Sequence, residues 1–177
     1  NKKAREDAFA GVSLQTLEDK EQIIDAAEAA AQEHDIVLID VAGVRSRALL
    51  YAAGVADLVI VPAQPSEDDI DEAINTIEAV KSAGKLAKRD IKYRVLLSQT
   101  RKGTIVLEHA AKQFEEINNI QIFRTTIGQR EAHKQARFYG TTVMRSDPKS
   151  AAALDFTNLG KELDKLLKEQ AKLQQQA

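Results

Sequence analysis

The chain has 177 residues, enough for one substantial hydrophobic core and too few to suggest two. Its 25 basic and 27 acidic residues nearly cancel, which argues against a histone-like or generally polyanion-binding protein while permitting a local basic patch. It has no cysteine, which excludes disulfides, thiolate metal sites, iron–sulfur clusters and cysteine nucleophiles; a reducing compartment such as the cytoplasm fits best.

Residues 17–33 read as an alanine-rich helix with Ile23, Ile24, Ala27, Ala30 and Ala31 on one face. Residues 36–40 then form an apolar run that ends in Asp40, with Gly43 three positions on. The pattern predicts a buried strand that delivers a carboxylate to its tip, where α/β nucleotide hydrolases hold Mg²⁺. Asp40 would bind the metal, usually through a water, and Gly43 would let a backbone N–H approach a terminal phosphate. An ordinary strand followed by a turn has the same pattern. Residues 47–53 read as a short helix and residues 57–62 as a second strand, apolar on both faces as in a covered parallel sheet.

Ser66 followed by Asp69 has the form of a helix cap, and Ile70, Ala73, Ile74, Ile77 and Val80 follow at helical spacing before Gly84. Residues 93–98 are a third strand. Thr104 caps a helix carrying Leu107, Ala110, Ala111 and Phe114, and residues 120–123 are a short fourth strand. Residues 131–139 form a helix stopped by Gly140. A long helix spans residues 150–173 with Leu154, Leu159, Leu163, Leu166 and Leu167 inward, and residues 174–177 are a frayed tail. Strands separated by helix-length segments imply right-handed crossovers and one α/β domain over residues 1–177, a doubly wound, mainly parallel sheet flanked by helices. No apolar run nears the roughly 20 residues that span a bilayer, and Asn1, Lys2 and Lys3 do not read as a secretory signal.

Four pieces stand in a telling order: Asp40 with Gly43; the 57–62 strand with Gln64, Pro65 and an acidic cap; Thr126 with Arg130; and Tyr139 to Val143. In this order and spacing they resemble the ParA/MinD group of deviant P-loop ATPases, ParA-type partition proteins above all, from about residue 31 onward. The resemblance implies a cytoplasmic, nucleoid-associated ATPase that uses ATP and Mg²⁺. It also implies a homodimer, non-specific DNA and a centromere-binding or cargo adaptor protein as partners, with no stable membrane insertion.

The sequence departs from the family in one decisive way. Family members open with a strand and a Lys-Gly-Gly-x-Gly-Lys-Thr loop that wraps the phosphates, whereas the eight glycines here stand apart. The family's second-strand Asp-x-Asp segment, which supplies the residue that orients the attacking water, is also absent. The chain therefore reads as a family member without its first ~40 to 50 residues, about one βαβ unit. Activity is expected of the whole protein, and no catalytic residue is assigned within this chain.

The resemblance assigns Asp40 to Mg²⁺, through a water, and Gly43 to phosphate sensing. It places Gln99, Thr100 and Arg101 near the adenine, with Thr126, Ile127 and Arg130 as a second base-side segment. Arg101 would stack on the base or be a solvated loop cation; Arg130 would otherwise only begin a helix. Pro62 and Pro65 shape the strand exit. His34, His109 and His133 lack metal-ligand spacing and a serine–acid partner, so each is read as structural. Arg45 and Arg47 follow the switch glycine and would face a partner subunit, DNA or solvent.

Lys161, Lys165, Lys168 and Lys172 recur every three or four residues and form a positive stripe suited to phosphate contacts, interrupted by Glu162, Asp164 and Glu169. Lys85, Lys88, Arg89, Arg101 and Lys102 are further DNA candidates, all expected on loops. The alternatives are a MinD-like ATPase that positions cargo at a membrane, which would need a terminal amphipathic helix with bulky apolar residues, and a non-catalytic interaction module.

Overall fold

An apolar run becomes a strand where a neighbouring backbone meets its N–H and C=O groups, and two runs of this chain do so along their whole length. β1 (Leu58–Ala63) and β2 (Lys92–Leu97) pair in parallel, with Leu58 opposite Lys92 and Ala63 opposite Leu97. The computed structural model describes residue 9, residues 11–41 and residues 46–174. A short helical turn (Lys20–Gln22) precedes α1 (Ile23–Glu33) and α2 (Arg47–Val55). The connection from β1 to β2 is α3 (Glu67–Ala87), as a parallel crossover requires. After β2 come α4 (Ile105–Lys112), a π turn (Gln113–Ile117), α5 (Glu131–Phe138), the short α6 (Val143–Ser146) and α7 (Ala151–Gln174). The α/β class with a parallel sheet and flanking helices is thus as expected.

The caps work as their residue types dictate: the hydroxyls of Ser46, Ser66 and Thr104 accept from the N–H groups of Leu49, Asp69 and Leu107 at the starts of α2, α3 and α4. One face of α3 packs Ile70 and Ile77 against Val61, Val95 and Leu97 of the strands and Phe114 of the π turn. Further along the same helix, Val80 and Ala83 meet Leu49 and Ala53 of α2.

Several elements differ from the sequence reading. Residues 36–40 pair with no other strand among the described residues. Ile39 and Val41 pack against Ile23, Ala48 and Ala52 of α1 and α2, while Ile36 and Leu38 are 70% and 89% exposed. Only one of the two faces implied by the apolar run is covered. The expected helix of residues 17–33 begins at Lys20 as a tight turn and becomes α-helical at Ile23. The expected fourth strand at residues 120–123 survives as a single bridge, Val95 with Ile122, and a second bridge joins Thr100 to Gly128 further on. On α7, Leu154 and Leu167 are exposed, although an inward position was expected for both; Gln174 continues the helix, and residues 175–177 of the expected tail lie outside the described residues.

Gly84 does not stop α3. The helix runs through it to Ala87, because the chain folds back so closely that the Arg89 N–H donates to the Gly84 carbonyl at 3.1 Å. A β-carbon on Gly84 would lie 2.8 Å from the Arg89 carbonyl oxygen, which is backbone and has little room to yield. Replacing a helical glycine with alanine ordinarily stabilises by about 0.5–1 kcal/mol. Here Gly84→Ala is expected to destabilise by about 1–2 kcal/mol net, since overpacking costs more than the propensity gain. Urea titration of the variant checks the sign, and a rise in midpoint would show that the return of the chain adjusts freely.

Candidate functional site at the carboxyl ends of the strands

Parallel pairing sets the carboxyl ends of β1 and β2 side by side, where open α/β sheets bind ligands. The Ser98 N–H donates to the Ala63 carbonyl at 2.8 Å and ties the two exits together. Gln99 follows with φ of +51°, a left-handed turn that redirects the chain. Thr100, buried at 2% exposure, then donates its N–H to the Ile127 carbonyl at 3.0 Å, while its own carbonyl accepts from the Gln129 N–H at 2.9 Å. The Ile127 N–H donates to the Leu97 carbonyl at 2.9 Å. The Thr100 and Thr126 hydroxyls stand 3.2 Å apart, and Arg101 Nε donates to Gln129 Oε1 at 3.1 Å. Two segments read separately in the sequence, residues 99–101 and 126–130, therefore form one edge.

The remaining assignments are less concentrated. Asp40 is exposed, at the end of the half-covered 36–41 run, and its carboxylate has no hydrogen-bond partner among the described residues. That state suits Mg²⁺, which keeps most of its waters and takes one or two protein carboxylates beside substrate phosphates. The described residues contain no cluster of three or more acidic, histidine or cysteine side chains able to hold a metal by themselves. Gly43 and Arg45 lie outside the described residues. Arg130 precedes α5 and directs its guanidinium to Asp155 Oδ2, with Nη2 at 3.0 Å and Nε at 3.3 Å. One ring nitrogen of His133 lies 3.1 Å from the Gly128 carbonyl.

The sequence reading gave no structural role to two carboxylates that hold this edge. Asp155, 7% exposed, accepts from the Gly128 N–H at 3.1 Å as well as from Arg130. A β-carbon on Gly128 would sit 3.0 Å from Nη2 and 3.1 Å from Cζ of Arg130, so a larger residue there would push the guanidinium aside by a few tenths of an ångström. Glu162 accepts from the N–H groups of Arg124 at 2.9 Å and Thr125 at 3.0 Å. Successive N–H groups of a strand point to opposite sides, so two that converge on one carboxylate break the strand. This is why pairing beside β2 stops at Phe123 and resumes at Ile127. The only sequence signal was Asp155 and Glu162 on the helix face that carries Ala152 and Leu159.

Burial raises the Glu162 pKa, but the Arg124 and Thr125 N–H groups, the Thr125 side chain and the charge of Arg94 outweigh it and hold the carboxyl below its ordinary 4.5. A carboxyl with a depressed folded pKa stabilises fully above its unfolded value and loses that stabilisation as pH falls through the folded one. Wild type should therefore exceed Glu162→Gln in stability near pH 7, with the gap closing below about pH 4.5. Urea midpoints at several pH values measure this, and a gap independent of pH would separate the carboxylate's charge from its role.

Because Glu162 turns inward, it does not interrupt the lysine stripe. Lys161, Lys165, Lys168 and Lys172 are all exposed; Lys168 pairs with Asp164 at 2.7 Å and Lys165 with Glu169 at 3.9 Å. Of the other cations, Lys85 lies on the last turn of α3 and not on a loop. Arg89 caps α2, donating to the carbonyls of Gly54 and Ala56 at 3.0 and 2.8 Å. Lys88, Arg101 and Lys102 remain exposed.

A family model, that of the ATPase MipZ, matches residues 3–142. No curated protein matches the chain. Among solved structures, Cyanthece apo McdA is similar with a TM-score of 0.69 at 20% identity, over 81% of this chain and 59% of that one. The Pyrococcus furiosus cell division ATPase MinD is similar with a TM-score of 0.68 at 16% identity, over 84% of this chain and 59% of that one. At these identities the likeness establishes the fold, and the chain spans 59% of each neighbour's length. With well over half of its residues matched by the family model, the chain belongs to the MipZ ATPases, within the ParA/MinD group of deviant P-loop ATPases.

Proposed function

We propose that this chain is the larger part of a ParA-type ATPase that acts in plasmid or chromosome partitioning, dimerising with ATP and binding DNA without sequence preference. The observation that carries the reading is the joined edge of residues 99–101 and 126–130 at the end of β2. This edge offers a base-side surface, with Arg101 oriented by Gln129 to stack on adenine. Asp40 supplies a carboxylate for Mg²⁺. The triphosphate needs a loop of backbone N–H groups and lysines, and the sequence carries no Lys-Gly-Gly-x-Gly-Lys-Thr motif to form one, so on this reading the phosphate cradle comes from residues outside this sequence. When bound, Mg²⁺ would neutralise phosphate charge.

DNA is favoured over a membrane by the disposition of α7. Its Ala152, Ala153 and Leu159 are buried against the body while the lysine stripe faces outward. Among the described residues no helix is long and apolar enough to cross a membrane. Binding of the ATP-bound whole protein to arbitrary duplex should weaken with salt at a log–log slope of about −0.9 per phosphate neutralised. The triple change Lys161→Glu, Lys165→Glu, Lys168→Glu should flatten the slope by about 2–3 per protomer for every sequence and spare ATP hydrolysis. An unchanged slope would move the DNA surface to Lys85, Lys88, Arg101 and Lys102. Retention on anionic vesicles in place of DNA would favour the membrane-positioning reading, and absence of ATP binding by the whole protein would leave an interaction module.

A further inference from the structure

We propose that Asp155 and Glu162 are positioning residues for nucleotide binding, two carboxylates on α7 that grip residues 124–130 and so set Thr126 and Ile127 beside Thr100. The inference rests on the reading of that edge as the base side of the nucleotide site.

The geometry is that of a clamp with two jaws on one helix. Asp155 and Glu162 are seven residues apart, two helical turns, and so share a face of α7. Glu162 holds the segment upstream of Thr126, through the N–H groups of Arg124 and Thr125. Asp155 holds it downstream of Ile127, through the Gly128 N–H and the Arg130 guanidinium. The two residues between the jaws both meet Thr100, Thr126 by its hydroxyl and Ile127 by its carbonyl, and the Gln129 N–H beyond Gly128 meets the Thr100 carbonyl as well. Neither jaw is needed to close the hydrophobic core, since the buried cluster on the sheet is made by α3, α4 and the strands. A carboxylate as buried as Asp155 is a poor way to gain stability compared with an apolar side chain of similar size. What it provides is one shape for a segment whose N–H groups would otherwise pair along β2 or open to water.

The test uses Asp155→Asn and Glu162→Gln in the whole protein, which keep side-chain volume and remove the charged acceptor. Loss of a charge-assisted bond predicts that amide hydrogen exchange quickens about tenfold or more at Arg124 and Thr125 in Glu162→Gln and at Gly128 in Asp155→Asn. Exchange at Ile77 and Val95 should stay as in wild type, which shows that the core is intact. KM for ATP should rise about tenfold with kcat within about twofold, and the preference for ATP over GTP should shrink. A purely structural role would quicken exchange throughout and leave the base preference unchanged. Unchanged exchange at the three amides overturns the clamp. Quickened exchange with an unchanged KM, where ATP protects this segment in wild type, overturns the positioning role alone. If ATP leaves exchange at residues 100 and 124–130 of wild type unaltered, the base-side reading fails and the proposal fails with it.

Discussion

Replacing Asp40 with alanine in the whole protein should lower Mg²⁺-dependent ATP turnover by about a hundredfold or more, because a group that organises charge around a transferring phosphoryl is worth at least that much. The fold should be untouched. Asp40 is exposed, and its burial-bearing neighbours Ile39 and Val41 pack against α1 and α2 on the other side of the run. Circular dichroism and the thermal midpoint should therefore match wild type while steady-state hydrolysis collapses. Asparagine should restore little, since it keeps the shape but loses the charge that would hold Mg²⁺. Turnover within about threefold of wild type would remove Asp40 from the metal site and leave it a residue of the strand exit.

The largest expected loss of stability comes from Phe114→Ala. Phe114 is fully buried, at 0% exposure, where the π turn after α4 meets Ile77, Val95 and Ile120. Truncating a phenylalanine in such a place costs about 3–5 kcal/mol, from lost burial and from the cavity left behind. For a chain of this size that is a fall of about 10 °C in melting temperature. Calorimetry would show it directly. A loss below about 1 kcal/mol would mean that the turn collapses into the space, with the π geometry relaxing to an ordinary helix.

What could be read from the sequence was what depends on near neighbours. The strands at residues 57–62 and 93–98 stand one residue from their observed bounds, Leu58–Ala63 and Lys92–Leu97, because β-branched apolar runs between turn residues leave little else to form. Ser66 and Thr104 cap helices because each bond spans only three residues. Gln99, Thr100 and Arg101 were placed just past a strand and Thr126, Ile127 and Arg130 in a second segment, and the structure joins the two segments through Thr100, Thr126 and Ile127. The readings that failed depended on distant partners. The 36–40 run had the composition of a strand, but composition does not supply the backbone that must lie beside it. Gly84 had the look of a stop, and only the return of the chain at Arg89 gives it another purpose. Glu162 looked like a break in a lysine row, and its true partners are 37 and 38 residues away in sequence. No local pattern encodes that distance.

α7 is a single rod of 24 residues, about 36 Å long, and its two sides are spoken for by different things. One side holds residues 124–130 by hydrogen bonds; the exposed side bears the lysines. A helix does not twist internally at low cost, so a shift of the held segment that keeps its bonds to Asp155 and Glu162 is either absorbed by those two side chains or passed to the rod as a whole. The lysine ammonium groups lie further from the axis than the backbone does, so they sweep through a longer arc than the segment that drives them. The helix would then act as a gear between the strand ends and the outer surface, with its ratio set by side-chain length.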